Sequence, residues 1–193
     1  MSDEKDLLGE RGRSLEADYF RRKDKELLDR AREQKAASDR RRELVAALDI
    51  EDDAIVTALS ALGFDARTAP LLDIVPAIQV AWADGTLPAK ERAEIERLLA
   101  RPEMEASARA GSRMVAEWLA QEPHRELYHL ATEALQLRAA RLDPEMRTRL
   151  VNKIIGDCNA VAAASGGVFG IGALSSVESD RIRELAAALG VKS

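Results

Sequence analysis

Several shortages narrow this 193-residue chain before any motif is read. It has one cysteine, Cys158, which excludes an internal disulfide framework and any paired-cysteine metal knuckle. A reducing compartment, the cytoplasm, is the expected setting. Aromatic residues make up only 4% of the chain, so alanine and leucine must do most of the packing. No apolar run approaches a membrane span, and the charged N-terminus has no signal-type hydrophobic segment. Alternating apolar and polar stretches are missing, as are long β-branched runs, which argues against strands and for an all-α fold. Basic excess is also missing. The net charge of -5 makes general binding to nucleic acid a poor default, and no nucleic-acid partner is expected.

What is present divides the chain in two. The hydrophobic content of 46% suffices for a core. Charge, however, is concentrated at the start: residues 1–50 carry 13 Lys and Arg against 13 Asp and Glu, so the whole deficit lies in the remainder. A zwitterionic arm, residues 1–48, is therefore expected to precede an acidic helical domain, residues 49–193. From Ser14 to Ala47 the arm has no glycine or proline, and Ser14 follows the breakers Gly9 and Gly12 as a plausible N-cap. A helix over that stretch would be roughly 50 Å long. Asp18 with Arg22 and Glu26 with Arg30 are spaced as surface ion pairs. The apolar positions, among them Tyr19, Phe20, Leu27 and Leu28, are too sparse for the arm to fold on itself. Such a helix is solvated, pairs with a second copy or packs on the body, or it docks in a partner's groove.

The stretch Gly9-Glu10-Arg11-Gly12-Arg13-Ser14-Leu15-Glu16-Ala17-Asp18-Tyr19-Phe20-Arg21, followed by Glu26 and Leu28, resembles the inhibitory segment of mitochondrial-type ATP-synthase inhibitor proteins. In that family the segment is a helix that wedges into the catalytic head and blocks ATP hydrolysis. The resemblance implies Glu16, Tyr19, Phe20, Arg21 and Leu28 as contact residues, with the catalytic head as partner. Two aromatics to bury, a carboxylate and a guanidinium suit such a wedge. The sequence departs from the family at Glu10 and Gly12, and it lacks the family's histidine-rich coiled coil.

In the body, helix boundaries are marked by caps and prolines. Asp49 is expected to cap a helix with Ile55, Leu59 and Leu62 inside and Gly63 at its end. Pro70 opens an apolar central helix reaching Trp82, with a kink at Pro76. Pro88, Pro102 and Pro123 each start another, carrying Ile95 and Leu98, then Met114 to Leu119, then Leu127 to Leu137. Asp143-Pro144 is an N-cap and N1 pair for a long helix to Ala164. A glycine-rich, apolar loop over 165–173 then leads to a capping box, Ser175-x-x-Glu178, and a last helix ended by Gly190. That gives about seven body helices.

The motif Asp84-Gly85-x-Leu87-x-x-x-Glu91 matches the second half of an EF-hand loop, but Val80 and Trp82 stand at the first two ligand positions and exclude one. In structural terms, Asp84 would tie the turn's amides, Gly85 would take positive φ, and Glu91 would cap the next helix. The turn recurs weakly near the C-terminus: Leu87, Glu91, Ile95 and Leu98 align with Leu174, Glu178, Ile182 and Leu185. Ala81-Trp82-Ala83-Asp84-Gly85, Leu87, Glu91 and Ile95, with this repeat, resemble the TerB-like helical domain of tellurite-resistance proteins and DjlA-type co-chaperones, over residues 50–190. The resemblance implies a TerB-like bundle of two helix–turn–helix repeats and an acidic patch for a divalent cation, Ca or Mg, with Asp84, Glu91 and Glu178 as ligands. Ser165 stands where the fourth acid would be.

His124 and His129 are five apart and share no ligand face, and Cys158 reads as a small buried hydrophobe. The glycine-rich loop lacks the Lys-Ser/Thr of a phosphate loop. No nucleophile with its base is visible, so no catalytic residues are assigned. The expected function is a non-enzymatic, stress-associated interaction module that binds a protein through its N-terminal helix, or self-associates. The alternative is a regulator of ATP hydrolysis by ATP synthase.

Overall fold

The computed structural model describes the backbone of residues 3–164 and 176–190, and side chains from residue 21 onward within those ranges. Among the described residues all regular structure is helical. The chain divides into two units, residues 1–40 and 41–193.

The first unit is one helix. α1 runs Asp3–Leu48, its last turns belonging to the second unit. Ser14 is therefore not an N-cap. It lies inside the helix, as do Gly9 and Gly12. A helix interior tolerates glycine at about 1 kcal/mol relative to alanine, so the two glycines weaken the run without ending it. Along residues 21–40 every apolar side chain is exposed, and an i, i+3 pair joins Asp29 to Arg32 at 3.5 Å.

In the second unit, Leu44, Leu48 and Ile50 are buried in the common core. α1 stops at Asp49, whose φ of +54° ends the helical path. Asp is one of the few residues with a short polar side chain that tolerates this region. Its carboxylate meets Arg141 at 3.2 Å. Asp49 thus closes one helix and does not open the next. The N-cap of α2 (Asp53–Ala61) is Asp52, whose Oδ1 accepts from the amides of Ala54 at 2.9 Å and Ile55 at 3.1 Å.

The expected central helix from Pro70 is two pieces. A 3-10 turn, Ala69–Asp73, breaks at Ile74, and α3 (Val75–Ala81) restarts with Pro76 in its first turn. Proline has no amide to donate, so the break falls where no bond is lost. The 3-10 turn is entered through a reciprocal clasp. Thr68 Oγ1 accepts from Asp65 N at 2.8 Å, while Asp65 Oδ1 accepts from the amides of Arg67 and Thr68, each at 2.9 Å. Burial pushes the Asp65 carboxyl up, but the bonds from Thr68 and Arg67 outweigh it and hold the group below the usual range.

α4 (Ala89–Leu99) has Pro88 as its extended N-cap residue. The segment after Pro102 is also split, into α5 (Pro102–Ala110) and α6 (Ser112–Ala120), at Gly111. Gly111 also sits at a close approach. A Cβ on Gly111 would lie 2.6 Å from Leu71 Cδ1 and 3.2 Å from Thr68 Cγ2, both buried. Gly111→Ala is therefore expected to destabilise the fold by about 1–3 kcal/mol through overpacking, despite alanine's better helix propensity. Urea denaturation at equilibrium measures this as a lower midpoint with an unchanged slope.

α7 (Arg125–Arg141) starts two residues after Pro123, with His124 Nδ1 accepting from Glu126 N at 3.4 Å. α8 (Pro144–Ala164) starts as expected, and Asp143 Oδ1 accepts from Glu145 N at 3.0 Å and Met146 N at 2.9 Å. α9 spans Ser176–Ala188, and Gly190 follows it at φ +82°. The apolar loop 165–173, Leu174 and the cap residue Ser175 lie outside the described residues.

α3 and α8 form the most extensive helix contact and make the centre. α4 packs on α8 and α3, and α9 packs on both as well. α4 is thus laid against α8, and α9 against α3. At the positions aligned in sequence, Glu91, Ile95 and Leu98 on α4 and Glu178, Ile182 and Leu185 on α9 are all buried. Two acids deep in the fold tie helices that are far apart in sequence. Asp73 receives Arg138 at 2.7 Å and Lys153 at 3.2 Å, and Asp157 receives a two-pronged contact from Arg101 at 2.8 and 3.1 Å.

Candidate functional site

In the first unit, the residues singled out from sequence fall on α1. Arg21 and Leu28 are exposed. Glu16, Tyr19 and Phe20 are in the same helix, and their side chains lie outside the described residues. The feature that stands out is Leu27 beside Leu28, at 59% and 58% exposure. A run of charged helix gains nothing from two large apolar side chains in water, since burying a leucine is worth about 1.5–3 kcal/mol. Apolar anchors of this kind on a helix suit a groove on another protein.

In the second unit, the acidic turn is built as a turn. Gly85 takes φ +84° and its amide bonds Trp82 O at 2.9 Å. Asp84 Oδ1 accepts from both Thr86 N and Thr86 Oγ1 at 2.9 Å, and the residue is exposed. Glu91 sits in the first turn of α4 at 3% exposure, and Glu178 in the first turn of α9 at 8%. Among the described residues, no three His, Cys, Asp or Glu side chains are grouped to hold a metal ion. Asp84, Glu91 and Glu178 are therefore not brought together as a ligand set. Asp84 already accepts two bonds within its own turn, and the donor set does not fit a hard cation, which needs six or more oxygens.

The remaining candidate groups are structural. Cys158 is fully buried, and burial with the neighbouring Asp157 charge pushes its thiol up to about 12, so it is inert. His129 is on the surface, 3.7 Å from Glu133. Trp118 is buried, and its carbonyl accepts from Trp82 Nε1 at 3.0 Å. Arg92 donates to the Leu119 carbonyl, tying α4 to the end of α6.

Cavities open among the described residues of this unit. One, of about 600 Å³, is largely apolar and is lined by Leu62, Met114, Trp118 and Leu127 among others. The second, of about 500 Å³, is lined more by polar groups, including Gln79, Glu122, Arg125, Tyr128 and Arg181. Sequence reading passes over this second group. Its signal is the spacing of Arg125, Tyr128 and Thr132, which places polar side chains along one face at the start of α7.

No family model matches this chain, and neither a curated protein nor a solved structure matches it.

Proposed function

We propose that this chain is a non-enzymatic interaction module of TerB-like architecture whose N-terminal helix docks into a protein partner. The observation that carries this reading is the adjacent, exposed pair Leu27 and Leu28 in a charged stretch of α1. The architecture is supported by the shared burial of Glu91, Ile95 and Leu98 with Glu178, Ile182 and Leu185 in two helices crossed on a central pair. The cytoplasm is the compartment this reading assigns, in keeping with one buried, unpaired thiol. Among the described residues no helix is long and apolar enough to cross a membrane. The test is affinity capture with the full chain against its Leu27→Asp/Leu28→Asp form. A protein held by the first and lost by the second is the expected result.

The unbroken helical path of α1 through residues 9–32 favours a second reading, inhibition of ATP hydrolysis by the catalytic head of ATP synthase. The full chain added to that isolated head would then slow hydrolysis, and the double variant would not. No slowing at large molar excess discards this reading and leaves the first standing.

A further inference from the structure

The polar cavity of about 500 Å³ lies where the C-terminal end of α3, the start of α7 and α9 meet. Its volume is within the usual range of small-molecule sites, about 300–1,000 Å³. Tyr128, on its wall, is only 6% exposed, and its hydroxyl has no hydrogen-bond partner. Buried hydroxyls in native folds are nearly always bonded, so a lone one asks what completes it. The charges that reach this hydroxyl belong to Glu122 and Arg181, both on the cavity wall. Burial first, and then the Glu122 charge, raise the phenol above its usual range, so it is a neutral donor at physiological pH. The hydroxyl oxygen is closed off as the side chains stand, so a ligand reaches it only by displacing a neighbouring side chain.

The other groups on the wall divide into engaged and unengaged. Arg181 is held by Glu184 at 2.7 Å, and Trp82 Nε1 by the Trp118 carbonyl. Glu122, Arg125 and Gln79 make no side-chain hydrogen bond or ion pair among the described residues. The unengaged set is thus one guanidinium, one carboxylate, one primary amide and one phenolic hydroxyl. Arg125 and Arg181 balance Glu122 and Glu184, so an ion of one sign meets as much repulsion as attraction. A small molecule bearing both signs meets a partner for each.

We propose that this cavity binds a small zwitterion of the free α-amino-acid class. The planar guanidinium of Arg125 and the Tyr128 hydroxyl take the ligand carboxylate, a geometry a guanidinium fork is suited to. The Glu122 carboxylate and the Gln79 amide oxygen take the ammonium. Trp82 supplies apolar wall for the ligand's side chain. This inference rests on residues 79–188 and not on the arm, so it stands or falls separately from the docking reading.

The test is thermal denaturation and titration calorimetry of the full chain against each of the common amino acids. At a concentration about tenfold above Kd, a binder raises Tm by roughly 3–5 °C. At least one should bind, and its methyl ester and N-acetyl derivatives should each bind at least about tenfold more weakly. Tyr128→Phe should also weaken binding about tenfold while leaving the Tm of the free chain unchanged or higher, because it removes a hydroxyl that bonds nothing. Arg125→Gln, at an exposed position, should keep the fold and lose affinity as well. The proposal is overturned if no amino acid binds, if the blocked derivatives bind as well as the parent, or if both variants bind unchanged.

Discussion

Asp73→Ala lowers the stability of the helical unit by about 2–4 kcal/mol, which for a domain of this size is a fall in Tm of roughly 5–15 °C. The argument is one of burial and count. Asp73 is buried at the end of the 3-10 turn, among Leu71, Leu72, Ile74 and Val75. Its two oxygens hold Arg138 of α7 at 2.7 Å and Lys153 of α8 at 3.2 Å. Removing the carboxylate leaves two cations facing each other with no anion between them. Losing one partner of a buried pair costs about 3–5 kcal/mol, but both cations keep about a third of their side chains exposed, so part of that cost is relieved by water. Surface pairs set the contrast. Glu105 with Arg109, Arg113 with Glu117 and Glu145 with Arg149 are exposed i, i+4 pairs, each contributing about 0.3–0.5 kcal/mol. Losing any one of them moves Tm by little more than measurement error. Calorimetric melting of Asp73→Ala beside Glu145→Ala separates the two classes. A matching small shift for both would mean that Asp73 is solvated in the native state.

Leu27→Asp/Leu28→Asp abolishes partner capture, with affinity reduced by about a hundredfold or more, while the folded unit melts as before. Each leucine, if buried in a groove, contributes about 1.5–3 kcal/mol, and each aspartate adds the cost of a charge brought to an apolar surface. Loss of even one such anchor pair at about 3 kcal/mol is more than a hundredfold in Kd. The same side chains are more than half exposed, so substitution has little to disturb within the chain, and a stability change within about 0.5 kcal/mol is expected. This combination separates docking from folding. A variant that keeps full capture places the contact elsewhere, and one that melts early places these leucines in the native packing.

The helical class, the long charged start and most helix ends were legible because they depend on local chemistry. Asp143-Pro144 caps α8 as its residue types dictate, and Glu91 and Glu178, aligned in sequence, are both buried. Several of the errors come from distance along the chain. Nothing near Gly111 in sequence shows that Leu71 and Thr68 lie against it, so the reason only glycine fits there was hidden. Asp49 and Asp52 are both good caps by type, and only the path of the chain into α2 decides between them. The ion pairs of Asp73 and Asp157 join residues 56 to 80 positions apart, where no helix periodicity reaches. An acid inside an apolar run, such as Leu71-Leu72-Asp73-Ile74-Val75, is the available signal that a distant cation must exist. The acidic turn failed in the other direction. Residue types that suggested a cation are accounted for, at Asp84, by the bonds that close the turn.

The central claim, that α1 is a docking helix for another protein, is tested most directly by placing a photoreactive amino acid at Leu28 in the full chain and irradiating cells that express it. The account predicts one discrete adduct with a different protein, lost when Leu27 is also changed to aspartate. Adducts formed only with a second copy of the chain, or none at all, would contradict it.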